Sequence, residues 1–447
     1  MDASAREIYD VVGVGFGPSN LSLAIALEEH ETNGSARPLR AAFFDRQPSF
    51  GWHRNMLLPT ATMQISFLKD LATFRNPRSR YSFIAYLHAS GRLVQFVNNQ
   101  SFFPTREEFH RYLEWVAASF DDRVAYGAEV TAIRQATGLA PDERQLLHVE
   151  VCDGTGRRST VQTRNVAIST GLVPRMPTGV ECDDRVWHSS QFLEKFHRVD
   201  PHDLKRVAVV GGGQSAAEIT RFLHDTLPDA RVYAVVPSYG YSVADDTPFA
   251  NQVFDPGAVD DYYFGTEQTR EAFWHYHKNT NYSVVDDEII RDLHRRSYDE
   301  DVRNDHRLTF LNLTRVQDVQ RVGTEIHVGL DSLLVSDART LDVDALVFAT
   351  GYNGMEPTGL LGELDRHCLR DEAGRYRTER DYRIITAPEL DCGIYLQGGT
   401  EHTHGLTSSL LSNVAVRSGE IADSVAHRSA GDDLEDRRTP ATALGAG

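Results

Sequence analysis

The chain is punctuated by short apolar runs that end in glycine. Residues 9–30, YDVVGVGFGPSNLSLAIALEEH, open as an apolar strand-like run and continue as a helix. Residues 206–225, RVAVVGGGQSAAEITRFLHD, repeat the plan. Each unit reads as a strand, a glycine-rich turn and an amphipathic helix. Between the two units, residues from about 52 to 120 read as helices and loops, and NVAISTG at 165–171 reads as a strand that runs into VPRMP. After the second unit comes a polar, aromatic stretch from about 240 to 300. It holds two helix-like segments, EQTREAFWHYH (267–277) and DDEIIRDLHRR. Residues 305–350 return to strand-like alternation and lead into DALVFATGY, residues 344–352. Four apolar residues there suit a buried parallel strand, and Ala-Thr-Gly lets the backbone pass close to another group. No repeat of solenoid length is present. The last 19 residues, from Ser429, are rich in Gly, Ala, Asp and Arg and read as a disordered tail.

The glycines carry the first chemistry. Gly13 and Gly15 fill the first two places of a GxGxxG turn, Gly17 lies inside it, and Pro18 stands in the third place. Such glycines allow a tight turn and a close approach of backbone to a pyrophosphate at a helix N-terminus. The next strand, RAAFFD, ends in Asp45, the acid expected on a ribose hydroxyl. In the second unit Gly211, Gly213 and Ala216 fit GxGxxA. The strand after it, RVYAVVPSYGY, ends in Pro237 and Ser238 without an acid, which favours NADP over NAD. Two dinucleotide folds in one chain suggest FAD plus NAD(P)H. The plainer alternative is one nucleotide fold beside one structural βαβ unit.

Composition narrows the classes. At 447 residues, 41% hydrophobic and 25% charged, the chain suits two or three globular domains. A net charge of −18 argues against nucleic acid or an anionic membrane surface as partner. No apolar run reaches the ~18 residues of a membrane span, and MDASAREIYD lacks a signal-peptide core. Cys152, Cys182, Cys368 and Cys392 stand far apart, which gives neither a zinc pattern nor a disulfide framework. A cytoplasmic location is expected. His402 and His404 lie in GTEHTHGL without a cysteine or carboxylate cluster, so no metal site is expected there.

Residues 344–357, DALVFATGYNGMEP, fit D-x3-[LF]-ATGY-x4-[HP] throughout. That pattern resembles the flavin-dependent N-hydroxylating monooxygenases. ISTGLVPRMP resembles their crossing between FAD and NADPH domains. MQISFLKDLATFRNP (63–77), PTREEFHRYLEW (104–115), PFANQVFDP (248–256), NTNYSVVDDE (279–288) and THGLTSSLLSNVAVRSGE (403–420) are similar to segments of the ornithine and lysine N-monooxygenases. The similarity runs from about residue 8 to 425 and is greatest to the bacterial ornithine enzymes. It implies an α/β fold of two Rossmann-like domains plus a small, mostly helical substrate region. Residues 1–172 and 342–428 would form the FAD domain. Residues 173–245 and 305–341 would form the NADPH domain, 246–304 the substrate region and 429–447 the tail.

The resemblance also implies roles. Lys69 would hold the substrate carboxylate, a task that suits a point cation. Asn251 and Asn281 would fix the amino acid backbone, with Asn281 also near the nicotinamide. Ser409 would lie near the reacting amine. Met63, Gln64 and Arg106 would lie beside the flavin ring, with Trp52 packed nearby. Gln214, Ser215, Thr350, Gly351, Leu406, Thr407 and Ser408 would touch the cofactors. Each has a plainer reading: Lys69 as a surface group, the asparagines as turn formers, Ser409 as a helix cap, Met63 as core, and Arg106 as a surface partner of Glu107 or Glu108.

The implied reaction has NADPH reduce FAD, which takes O₂ to a C4a-hydroperoxide. The neutral ornithine amine then attacks the distal oxygen to give the hydroxylamine used in hydroxamate siderophores and related products. No protein nucleophile or metal is needed. An amine with a lysine-like pKa of ~10.4 must shed a proton first. Lysine or a diamine is the nearest alternative substrate. Another class B flavin monooxygenase and a non-enzymatic nucleotide-binding regulator are further alternatives. The resemblance implies a homotetramer.

Overall fold

The computed structural model describes residues 8–32, 38–136, 145–334 and 338–430. Most of the expected tail lies outside them, and the helix Val414–Ala430 runs past its expected start at Ser429. Among the described residues, no helix is long and apolar enough to cross a membrane.

Two parallel-stranded sheets organise the chain. In the first, Ile8–Val14 is central and pairs in parallel with Ala41–Asp45 on one side and Arg158–Ile168 on the other. Leu147–Asp153 and Ala128–Gln135 extend that side antiparallel, and Gly393–Leu396 returns to pair in parallel with the end of Arg158–Ile168. The strand Ile8–Val14 reads as a near-continuous apolar run because both its faces are covered. The helix Pro18–Thr32 follows the turn, with Pro18 at its first position, where a missing N–H costs nothing. The sequence pattern predicts an amphipathic helix here. Leu21, Leu23, Ala24, Ile25, Ala26 and Leu27 are instead all buried, because the helix Val414–Ala430 packs along it as well as the sheet. A helix so covered has no need of a polar face.

The second sheet orders its strands Leu308–Leu311, Arg231–Val235, Arg206–Val210, Ala345–Phe348 and Val186–His188, all parallel. Two expectations are corrected here. The strand Ala345–Phe348 does not return to the first sheet. It lies beside Arg206–Val210, with Leu346 opposite Ala208 and Phe348 opposite Val210. The element that returns is Gly393–Leu396. Domain 342–428 therefore begins too early, since a buried apolar strand satisfies either sheet equally. The long helix Asp287–Arg303 falls within the expected substrate region, yet it is the crossover between Arg231–Val235 and Leu308–Leu311. Its Ile289 and Leu293 pack in one core with Ile219 and Leu223. The boundary at 304/305 thus cuts a βαβ unit. The rest of 246–304 is helical as expected: Ala250–Phe254, Pro256–Tyr263 and Glu267–His277. The strands Thr314–Val322, Glu325–Ser332 and Ala338–Val343 form a separate three-stranded antiparallel sheet.

The chain crosses between the sheets twice, by like-built connections. Ser169-Thr170-Gly171 leaves the first sheet and Ala349-Thr350-Gly351 leaves the second. The two connections then run antiparallel, Tyr352 opposite Pro174 and Asn353 opposite Val173. Arg175 clamps them. Its guanidinium donates to the Thr350 carbonyl at 2.6 and 3.0 Å, and its carbonyl accepts from the Thr350 hydroxyl at 2.5 Å.

Candidate active site

Each glycine turn is shaped by the strand exit beside it. Gly15 has φ +82°, and a Cβ there would stand 2.4 Å from the Ser169 carbonyl oxygen. Gly211 has φ +154°, and its Cβ would stand 2.4 Å from the Ala349 carbonyl oxygen. Only glycine meets both demands. The small residues of ATGY are therefore explained: that backbone passes against the second glycine turn.

The first turn suits a dinucleotide. Gly17 opens onto free space, where a Cβ would meet nothing within 4 Å, at the N-terminus of a long helix. Gln397 reaches this turn through a 2.6 Å bond from its amide to the Asn20 side-chain oxygen, and Asn20 donates in turn to the Gly15 carbonyl. The buried Arg417 links Ser19 with the Ser408 carbonyl. In that same segment Gln397 Oε1, Thr400 Oγ1 and Ser408 Oγ are buried with no hydrogen-bond partner. Buried polar atoms are normally satisfied, so these fit a polar ligand lying along the turn. Asp45 ends the second strand as expected, yet both its oxygens already accept backbone N–H groups, from Phe16 at 2.6 Å and Gln47 at 2.8 Å. It holds the turn closed, and a ribose would share it through the remaining lone pairs.

At the second turn no acid intervenes. A Cβ on Gly212 would meet Val236, Pro237 and Ser238. Gly213 caps the helix Gln214–Thr226 and abuts Ser283 and Val284. Gln214 points out of this turn, and Ser215 follows it on the helix.

Between the turns lies a polar network that joins the two units. Arg106 is not a surface partner of Glu107 or Glu108. It makes a bidentate pair with Glu218, both bonds at 2.8 Å, and also donates to the Met56 carbonyl. Gln214 donates to Glu218 at 3.0 Å and to Asp286 at 2.8 Å, and accepts from the Asp286 N–H. Gln64 donates to the other Asp286 oxygen at 3.2 Å. Burial holds the Asp286 carboxyl above the usual range, and the Glu218 charge adds to this. The amides of Gln64 and Gln214 and the charge of Arg106 pull the other way. Asp286 stands at the N-cap of Asp287–Arg303 without making the capping bond. Sequence reading misses Asp286 and Glu218, because an aspartate before a helix reads as a cap. Met63 is buried behind Gln64, and Trp52 packs on Phe109 of the same core.

A second cluster gathers the expected substrate residues. Lys69 Nζ lies 5.6 Å over the Phe254 ring. Burial lowers its pKa and Asp255 partly restores it. No described carboxylate lies within ion-pair distance of it, so the cation is available. Asn251 sits on the turn that carries Phe254 and donates to the Asp246 carbonyl at 2.6 Å. Phe254 and Val253 pack on Leu406, with Phe273, Trp274 and Leu410 against them. The turn Leu406–Ser409 thereby meets the Asn251 segment, and Thr407 and Ser408 on it are buried. Asn281 precedes Tyr282, whose ring lies 6.1 Å from that of Trp274 at a 35° tilt and whose hydroxyl donates to Glu401 at 2.5 Å. Ser409 ends the turn Leu406–Ser409, which packs against the short helix that Glu401 begins. Sequence reading misses Glu401 and Tyr282 as well. The two histidines are engaged by the protein: His402 with the Tyr376 carbonyl at 2.7 Å, His404 with the Arg380 carbonyl at 3.1 Å and Thr403 at 2.9 Å. Thr350 and Gly351 serve the crossing, where the Gly351 carbonyl accepts from the Arg175 N–H at 3.0 Å and lies 3.0 Å from His188 Nε2.

Comparison with known proteins gives this arrangement a context. The sequence model of the family described as L-lysine 6-monooxygenase/L-ornithine 5-monooxygenase matches residues 7–354. An L-ornithine N(5)-monooxygenase of Pseudomonas aeruginosa is 37% identical over 423 residues, covering 94% of this chain and 94% of its own. The counterpart from Burkholderia cepacia is 39% identical over 404 residues, covering 89% and 90%. The Kutzneria sp. 744 ornithine N-hydroxylase, solved as KtzI-FADred-NADP+-L-orn, superposes with a TM-score of 0.90 at 59% identity. That match covers 95% of this chain and 100% of the Kutzneria chain.

Proposed function

The chain belongs to the L-lysine 6-monooxygenase/L-ornithine 5-monooxygenase family, and from that premise we propose that it N-hydroxylates the side-chain amine of L-ornithine using FAD, NADPH and O₂. The family's description covers two substrates, so the family alone does not choose between them. The relatives named above are ornithine enzymes, and this favours ornithine over lysine or a diamine. The observation that carries the reading is the convergence of Lys69, the Asn251 turn, the Asn281–Tyr282 segment and Ser409 around one apolar wall. The segment that carries Lys69 also carries Gln64, and the segment that carries Tyr282 also carries Asp286, so the wall and the network share two stretches of chain.

In this reading FAD occupies the first turn and NADPH the second. Bound FAD, reduced by NADPH, supplies an oxygen atom from O₂ in a form that an amine can attack. The chain does the rest. Lys69 holds the substrate carboxylate by charge, while Asn251 and Asn281 hydrogen-bond the amino acid end. Ser409 meets the side-chain amine. The wall of Phe254, Leu406 and Trp274 keeps water from the reacting end, which protects the activated oxygen from side reactions. Gln64 and Arg106 from the first unit and Gln214 from the second meet where the two cofactors must approach each other. The FAD unit comprises the first sheet with its returning strand. The NADPH unit comprises the second sheet with its crossover helix. A homotetramer in the cytoplasm completes the reading, and light scattering on purified protein checks the assembly.

The test is product stoichiometry. Purified protein loaded with FAD receives NADPH and one of ornithine, lysine or putrescine. Hydroxylamine formed per NADPH consumed should approach one with ornithine alone. Equal coupling with lysine or putrescine would change the substrate. Peroxide without hydroxylamine from all three would remove the amine reading.

A further inference from the structure

The amine must lose a proton before it can act as a nucleophile, yet none of the residues with expected roles is a base. Lys69 is a cation, and Asn251, Asn281 and Ser409 do not take up protons at neutral pH. Glu401 is a carboxylate at the right place. It begins the short helix Glu401–His404, on the segment that turns directly into Leu406–Ser409. Its side chain takes a 2.5 Å hydrogen bond from Tyr282, and its helix packs against the turn that carries Ser409. It thus bridges the two segments that bring Asn281 and Ser409 to the substrate.

Resting on the ornithine reading above, we propose that Glu401 is the proton acceptor for the substrate amine, reached through the Ser409 hydroxyl. The ammonium gives one proton to Ser409 Oγ as the Ser409 hydroxyl proton passes to Glu401. The nitrogen keeps its electron pair as a neutral amine, the serine is regenerated, and the carboxylate becomes a carboxylic acid. No net charge enters or leaves the site. Tyr282 holds the carboxylate in register by its hydrogen bond, so it acts as a positioning residue.

The surroundings suit a carboxylate that takes a proton. Burial raises the Glu401 pKa, with the hydroxyls of Tyr282 and Ser409 opposing. From the packed helix Pro256–Tyr263, Tyr262 faces it at longer range. On that helix Asp260 is already paired with Arg380. Arg270 and Arg375 act on Tyr262 and on His402 rather than on Glu401. His402, its neighbour, is held by the Tyr376 carbonyl. No described cation therefore competes to keep Glu401 ionised, and a carboxylate in such a place takes up a proton more readily than an exposed one.

The substitution Glu401→Gln keeps an acceptor oxygen for Tyr282 and Ser409 and removes the capacity to take a proton. Two readouts on FAD- and NADP⁺-loaded protein test the role. The first is the Cδ chemical shift of bound [5-¹³C]ornithine at pH 7, which distinguishes amine from ammonium. Wild type should show the neutral amine and Glu401→Gln the ammonium. The second is coupled hydroxylamine yield against pH. Glu401→Gln should lose about a hundredfold at pH 7 and recover as pH rises toward 9. Glu401→Asp should restore part of the yield at pH 7. A merely structural Glu401 would alter ornithine affinity without moving the pH profile. Wild type and Glu401→Gln with the same shift and the same profile would overturn the assignment and leave the ornithine reading intact. Wild type that neither binds ornithine nor makes hydroxylamine would overturn the ornithine reading, and the assignment with it.

Discussion

The two glycine turns are near-copies in backbone and opposites in what surrounds them. Each abuts a strand exit of the form small-Thr-Gly, and in each a carbonyl oxygen stands 2.4 Å from where a glycine Cβ would be. The first turn is then sealed within one unit, by Asp45, Asn20 and Gln397. The second opens onto the other unit, through Gln214, Asp286 and Gln64. A shared fold sets where a dinucleotide lies. The groups around the turn decide whether it is held within one unit or meets a partner across a junction.

The largest effect expected is from Gly15→Ala. The positive φ alone costs roughly 1–3 kcal/mol, and the clash with the Ser169 carbonyl comes on top. Purified Gly15→Ala should lack flavin absorbance and melt lower than wild type. A yellow, stable Gly15→Ala would break the comparison at its first turn.

Next comes the junction. Arg106 and Glu218 have side chains only 12% and 1% exposed. Glu218→Ala leaves a buried guanidinium unpaired and should cost about 3–5 kcal/mol. Glu107→Ala removes the exposed pair with Arg111 and should cost no more than about 0.5 kcal/mol. Thermal unfolding of the two variants side by side checks the contrast, and equal losses would mean that Arg106 does not tie the units together.

Acid should act on two buried groups at different pH. Burial pushes the His404 imidazole down to about 3. The unfolded imidazole, near 6.5, binds a proton that the folded one refuses. Stability is therefore lost as pH falls below about 6.5, reaching about 2 kcal/mol at pH 5. In the second unit Glu300 pairs with His224 at 2.6 Å. Burial pushes the Glu300 carboxyl up, but the His224 bond and the amides of Leu308 and Arg307 outweigh it, and the net shift is downward. Its contribution persists until pH falls below about 4.5 and is then lost. Urea titrations from pH 8 to 5 should show falling stability in wild type and a shallower fall in His404→Asn. Parallel curves would show that His404 is not held neutral.

The smallest effect is at the crossing. Thr350→Ala removes the hydroxyl bond to the Arg175 carbonyl and should cost about 1 kcal/mol. A loss as large as that of Glu218→Ala would make the crossing as strong a tie between the units as the Arg106–Glu218 pair.

The sequence reveals the turns because their constraints are local. Gly15, Gly211, Ala349 and Gly351 are dictated by backbone within a few residues or against one strand. The sheet that receives Ala345–Phe348 is not legible, because a doubly buried strand carries no mark of its neighbours. The same holds for Asp287–Arg303, whose periodicity gives a buried face but not the helix it meets. Asp286, Glu218 and Glu401 stay hidden for a different reason. Their partners lie 222, 112 and 119 residues away, at Gln64, Arg106 and Tyr282, and a carboxylate's neighbours at that distance exist only once the chain is folded.

The most direct measurement is anaerobic reduction of FAD-loaded Gly211→Ala by NADPH, followed by flavin absorbance over a range of NADPH concentrations. If the two turns serve two nucleotides, the variant keeps one flavin per chain like wild type. The NADPH concentration for half-maximal reduction then rises at least about tenfold, since one lost bidentate-scale contact of about 1.4 kcal/mol already gives that factor. A variant that purifies without flavin, or that is reduced with wild-type dependence on NADPH, contradicts the division of labour between the turns.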